Sequence, residues 1–186
     1  MSKVKNSNSN SVLFVGKPNC GKSSLFNTLT GLNQKVGNYS GVTVDIKSGQ
    51  IGGLTIVDLP GLQSLVTKSP EEIISRDKIL SDDSESTVVF ICNGMQLSDS
   101  LVLFSQLADI QIKMVVVVNF KDELAENKVE VDIEKMQSLL GCPVTLVNSK
   151  TGEGKDSLLR LLMMIKDKYQ TRFVEVTMTN SKEITM

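Results

Sequence analysis

Histidine and tryptophan are absent from this chain, and cysteine occurs only three times in 186 residues. Without histidine there is no His-based triad, no imidazole general base and little prospect of a zinc site. Any chemistry must therefore run on charge, positioning and bound ions. Cys20, Cys92 and Cys142 are odd in number and irregularly spaced, which fits a reducing compartment and forms neither a disulfide framework nor a metal motif. No apolar run exceeds Met114–Val118 in length, far short of what a bilayer requires. Met1–Ser11 is polar and lacks the apolar core of a signal peptide. Net charge is nearly missing too, at −1, so nothing suggests a basic face for a phosphodiester backbone and no nucleic-acid partner is expected.

What remains is an ordinary globular composition, 40% hydrophobic, in which strand-length apolar runs alternate with helical patterns. That alternation predicts an α/β fold, a mostly parallel sheet wrapped by helices on both faces. Six strands are expected at Val12–Val15, Val42–Lys47, Leu54–Val57, Thr87–Cys92, Met114–Asn119 and Val144–Val147. Only a Gly49–Gly53 turn separates the second from the third, so that pair should be antiparallel. Helices are expected at Ser24–Leu32, Glu71–Leu80, Ser98–Ala108, Ile133–Leu140 and Asp156–Tyr169. The second has Ser69 as N-cap, Pro70 at its first position and Glu72 to close a capping box. Residues 1–10 read as a flexible arm and 11–170 as one nucleotide-binding domain. Residues 171–186 read as a C-terminal extension, the start of a truncated helical domain. Asp82-Asp83-Ser84-Glu85 reads as a solvated loop.

The chemistry begins at Gly16-Lys17-Pro18-Asn19-Cys20-Gly21-Lys22-Ser23, followed by Ser24, which matches the G-x-x-x-x-G-K-[ST] phosphate loop between a strand and a helix. Its glycines let consecutive N–H groups turn toward anionic oxygens at a helix N-terminus. Lys22 would reach the outer phosphates and Ser23 would bind Mg²⁺. Asp58-Leu59-Pro60-Gly61 ends the third strand. The aspartate there can hold Mg²⁺ through water, and the Gly61 N–H can sense a γ-phosphate. In Gly41-Val42-Thr43-Val44, the Thr43 hydroxyl can join the Mg²⁺ shell only while a γ-phosphate is present, which makes the segment a switch. Asn119-Phe120-Lys121-Asp122 follows the fifth strand. The Asp122 carboxylate can accept from both N1–H and N2–H₂ of guanine, a pair of donors adenine lacks. Asn119 would tie this loop to the phosphate loop. Asn148-Ser149-Lys150, after the sixth strand, would offer a backbone N–H to the guanine O6. All five elements fall at strand carboxyl ends, where open α/β sheets bind ligands.

On Gly16–Asn27 (GKPNCGKSSLFN), Gln34–Asp45 (QKVGNYSGVTVD), Asp58–Leu65 (DLPGLQSL) and Ser69–Leu80 (SPEEIISRDKIL), the chain resembles the translation-factor-like branch of Ras-type GTPases. More closely, it is similar to the N-terminal G domain of the bacterial ferrous iron transport protein B family, from about Val12 to Tyr169. The resemblance implies a Ras-like P-loop GTPase fold. It implies a domain on the cytoplasmic face that binds GTP or GDP with Mg²⁺, hydrolyses GTP slowly and controls Fe²⁺ uptake. The parent chain would then carry a helical domain and a permease domain in the bacterial inner membrane, so this chain would be a fragment, and homo-oligomers are possible partners. It also implies that Asn19 and carbonyls near Gly37 and Tyr39 hold an activating K⁺ where an arginine finger otherwise acts. Lys22, Thr43, Asn19 and Gly61 would then serve catalysis.

One position differs from Ras-like enzymes in general and three features depart from the family pattern. Leu62 stands where Ras-like enzymes place a water-orienting glutamine, with Gln63 one position late. Tyr39 replaces tryptophan, Asn148-Ser149 replaces Ser-Ala with each residue keeping a usable N–H, and Phe120-Lys121 replaces an apolar pair. Two alternatives stay open: a soluble GTPase of ribosome assembly or tRNA modification, and a non-hydrolysing guanine-nucleotide sensor.

Overall fold

The computed structural model describes residues 11–31, 34–38, 45–81 and 86–166. Gly41, Val42, Thr43 and Tyr39 lie outside them, as do the acidic patch at 82–85, the arm at 1–10 and the extension at 171–186. β1 (Ser11–Val15) leads to α1 (Lys22–Thr30), then β2 (Gln34–Asn38), β3 (Asp45–Ile51), β4 (Leu54–Asp58) and α2 (Pro70–Ser81). β5 (Thr87–Asn93), α3 (Leu97–Asp109), β6 (Met114–Asn119), α4 (Lys121–Glu126), α5 (Ile133–Leu140) and β7 (Val144–Leu146) follow. A last helix, α6, covers 155–166.

The strands form one sheet in the order β2-β3-β4-β1-β5-β6-β7. β1 lies parallel between β4 and β5, with Phe14 opposite Asp58 on one side and Val89 on the other. β5 and β6 are buried almost throughout, and their unbroken Val and Ile runs reflect helices on both faces. Side chains alternate across β1 with period two. Val12 and Phe14 join Leu25, Phe26, Leu158 and Leu162 under α1 and α6. Leu13 and Val15 join Ile79, Leu103 and Leu107 under α2 and α3.

Six strands were expected and seven are found among the described residues. The extra one, β2, has the sequence QKVGN, which carries no apolar alternation; it forms because β3 offers an edge to pair with. It does not add a second reversed strand, since β3 alone runs against its neighbours on both sides. The β3–β4 turn is tighter than Gly49–Gly53: Ile51 pairs with Leu54 across Gly52 and Gly53, at φ 56° and 74°. Two successive residues with positive φ make the two-residue turn whose twist suits a hairpin. α4 was also unforeseen, being under two turns long and too short for a 3.6-residue pattern. α1 ends at Thr30, where the Gly31 N–H donates to the Asn27 carbonyl.

Candidate functional site

The loop between β1 and α1 is built tightly enough to explain its glycines. A Cβ on Gly16 would lie 2.2 Å from the Ile91 carbonyl oxygen and 2.8 Å from Cys20 Sγ. Gly21 has φ +92°, and a Cβ there would stand 2.0 Å from the Asn119 amide nitrogen. Asn19 takes φ 63°, a conformation asparagine tolerates better than most residues, and it is exposed. Positive φ values at Asn19 and Gly21 curl the backbone into the kind of concavity whose N–H groups can receive an anion. The Lys22 side chain is buried, and its ammonium donates to the Lys17 carbonyl at 2.9 Å, which holds the charge across the loop. Ser23 and Ser24 are exposed in the first turn of α1.

Asp58 closes β4 beside this loop. It is buried, and its Oδ1 has no hydrogen-bond partner. Burial pushes its carboxyl above the ordinary value, while the Ser23 hydroxyl, Lys22 and Lys47 pull it part of the way back. An orphaned carboxylate oxygen next to a serine hydroxyl suits a hard divalent cation. Among the described residues no three acidic, Cys or His side chains cluster for a metal, so most ligands would come from phosphates and water, as Mg²⁺ prefers. A raised folded-state value means the folded chain keeps the proton longer than the unfolded chain, so this group's contribution to stability is lost as pH rises through that window. Thermal midpoints of the nucleotide-free chain, compared with Asp58→Asn between about pH 4 and about pH 7, should show wild type losing ground to the variant as pH climbs.

The segment after Asp58 is packed against the phosphate loop. Leu62 N–H donates to the Gly16 carbonyl at 3.1 Å, and a Cβ on Gly61 would meet Pro18 N at 2.9 Å. Pro60 is held by the Ser75 hydroxyl, 2.9 Å from its carbonyl oxygen. The Leu62 side chain is fully buried in the core under α2 and α3. No part of it faces the phosphate loop's mouth to orient water. Gln63 presents its backbone N–H to Glu72 at 3.2 Å, and its side chain is exposed. The expected capping box is therefore not made. Glu72 instead accepts from Gln63 N–H and from the Thr67 hydroxyl, while the Ser69 N–H turns to Thr67 Oγ1. The carboxylate is recruited by the loop ahead of the helix. On the α3 side, Gln106 Oε1 accepts from the Leu65 N–H at 2.8 Å.

The base side is organised by Asn119, which is wholly buried. Its Nδ2 donates to the Cys20 carbonyl at 2.9 Å and to Ser149 Oγ at 3.0 Å, and its Oδ1 accepts from Ser149 N–H at 2.9 Å. Three loops separated in sequence thus meet on one carboxamide. Phe120 adopts φ 66°, a left-handed turn that starts α4 and sets Asp122, exposed, in its first turn. Lys121 pairs with Glu153 at 2.6 Å, linking the fourth loop to the fifth. The N–H groups of the fifth loop are engaged within the protein: Ser149 N–H donates to Asn119, and Lys150 and Thr151 N–H to Asn148 Oδ1 at 3.0 and 3.1 Å. Asparagine in place of serine is long enough to cap two successive N–H groups of its own turn. Contact with a base would have to share or exchange these bonds. Of the proposed K⁺ group, Asn19 and Gly37 are described and both are exposed, Gly37 on the edge strand β2. Sequence reasoning gave Glu72 only a capping role and missed Gln106, Glu153 and Thr28, which with it hold the loops from behind. Only the opposite charges of Lys121 and Glu153 offered any signal.

A phosphate loop, an aspartate strand end and an asparagine-centred base loop, on a sheet of this order, define a Ras-like P-loop G domain. Residues 10–162 match the family model described as Ferrous iron transport protein B. The chain belongs to that family, at its N-terminal G domain. It is 38% identical over 155 residues to the Fe(2+) transporter FeoB of Leptospira biflexa and 38% over 152 residues to that of Salmonella typhimurium. These alignments take in 81% and 77% of the chain but only 22% and 20% of those relatives, so the chain spans about a fifth of their length. Among solved structures, the G domain of T. maritima FeoB superposes with a TM-score of 0.75 at 36% identity, over 83% of this chain and 96% of that one. The cytosolic domain of the same transporter in its GDP form gives 0.77 at 36%, over 85% of this chain and 63% of that one.

Proposed function

We propose that this chain is a guanine-nucleotide switch that hydrolyses GTP to GDP and phosphate. In its parent protein it would regulate Fe²⁺ passage through a membrane permease domain, from the cytoplasmic face of the inner membrane. The carrying observation is the Asn119 carboxamide, which joins the phosphate loop at Cys20 to the fifth loop at Ser149, the kind of link that a site holding both the phosphates and the base of one nucleotide requires. In this reading Lys22 and the loop N–H groups hold the phosphates, the Gly61 N–H reads the γ-phosphate and Asp122 reads the guanine edge. Ser23, Thr43 and Asp58 would hold Mg²⁺, which neutralises charge on the phosphoryl oxygens. Asn19, with Gly37 and Tyr39, would hold K⁺, a second positive charge at the leaving phosphate. With Leu62 turned into the core, no side chain at that position can orient water, and intrinsic turnover should be slow.

The test is phosphate release from GTP and from ATP, in KCl and in NaCl. Hydrolysis restricted to GTP and faster in K⁺ by about tenfold or more is expected, with the K⁺ gain lost in Asn19→Ala. Equal rates in the two salts would remove the K⁺ role, and equal use of ATP would remove the guanine assignment. The buried Leu62 favours one second reading, a guanine-nucleotide sensor that does not hydrolyse. Tight GTP binding without phosphate release in either salt would select it.

A further inference from the structure

Thr28 belongs to none of the five nucleotide loops, yet its hydroxyl donates to the Ser149 carbonyl at 2.7 Å, across 121 positions of sequence. Ser24, one turn earlier on α1, reaches the same oxygen at 3.3 Å. The Thr28 methyl stands beside Gly152, where an added Cβ would lie 3.0 Å from Thr28 Cγ2. The fifth loop is therefore seated on α1 through its carbonyl and on Asn119 through its N–H. α1 is the helix whose first residues are Lys22 and Ser23.

The peptide group makes this contact informative. In a planar trans peptide, C=O and N–H point in opposite directions. Fixing the Ser149 carbonyl toward α1 fixes the Lys150 N–H away from it, toward the side where Asn148 Oδ1 now accepts it. We propose that Thr28 is a positioning residue for base recognition, a strut by which the phosphate-binding helix orients the Lys150 N–H for the guanine O6. The proposal rests on the reading of this site as a guanine-nucleotide site. It makes α1 the shared support of both ends of the ligand, so a shift of α1 on phosphate binding carries the base loop with it.

Thr28→Val keeps the side-chain shape and deletes the hydroxyl, whereas Thr28→Ser keeps the hydroxyl. Displacement of mant-GDP from the whole chain should show Thr28→Val weakening GDP about fivefold, the scale of one neutral hydrogen bond, with Thr28→Ser close to wild type. The penalty should shrink to under about twofold for 2-aminopurine riboside 5′-diphosphate, which has no O6, because the oriented N–H then has nothing to meet. A general loosening of the fold would weaken both ligands alike. An equal loss on both ligands, an unaffected Thr28→Val, or a Thr28→Ser as weak as Thr28→Val would overturn the strut. A wild-type chain that does not retain mant-GDP would overturn the guanine reading itself, and the strut with it.

Discussion

Asp122→Ala is expected to weaken GDP binding by about a hundredfold or more and to erase most of the preference for GDP over ADP. The carboxylate would accept two hydrogen bonds from the guanine edge, each with a charged acceptor and worth about 1.5–3 kcal/mol. Even the lower figure, taken twice, corresponds to more than a hundredfold. The fold should hardly notice. Asp122 is exposed in the first turn of α4, where a negative charge contributes only about 0.5 kcal/mol through the helix dipole. Asp122→Asn should act differently from the alanine change. Its amide NH₂ would confront the guanine donors but match a carbonyl at C2, so xanthosine diphosphate should now compete better than GDP. Equilibrium competition against mant-GDP, with thermal midpoints in parallel, checks both. If Asp122→Ala bound GDP as wild type does, base recognition would have to be moved off this carboxylate.

The parts of this site that could be read from sequence are those whose chemistry is local. A phosphate loop needs glycine where a Cβ would strike Ile91 or Asn119, and such constraints appear as spelling. Asp58 and Asn119 could be found because each ends a strand that its own apolar run predicts. β2 could not, since QKVGN has no pattern of its own and takes its conformation from β3. The capping box at Ser69 and Glu72 failed for a related reason. Its spacing was right, but the Thr67 hydroxyl and Gln63 N–H compete for the same carboxylate and win it. The internal satisfaction of the Ser149 and Lys150 N–H groups was hidden as well. It depends on the length of Asn148 and on the approach of Asn119 from a different strand. Thr28 left no trace in sequence, being one more hydroxyl on a helix until the fold puts Ser149 above it.

Asn119→Ala should be the most damaging single change to the site as a whole, in stability and in ligand binding together. The carboxamide makes three hydrogen bonds where no solvent reaches, so its removal strands the Cys20 carbonyl, the Ser149 N–H and the Ser149 hydroxyl. Each buried group left without a partner costs about 1–3 kcal/mol, less where a neighbour or a water moves in. A net loss of about 3 kcal/mol is expected, which for a domain of this size lowers the thermal midpoint by about 9 °C. Asn119→Asp separates geometry from chemistry. It preserves the shape and the acceptor for Ser149 N–H, but it replaces the donor to Cys20 O with a second acceptor facing that carbonyl. The aspartate variant should therefore fall with the alanine variant and not with wild type. The ligand effect should also differ in kind from that of Asp122→Ala. Losing Asp122 removes a contact to one base, so ADP binding stays where it was. Losing Asn119 frees the phosphate loop from the base loop, so GDP and ADP should both weaken. Thermal unfolding with and without each nucleotide resolves the two cases. If Asn119→Ala kept the wild-type midpoint, the bridge between Cys20 and Ser149 would not be what holds the phosphate and base halves of the site together.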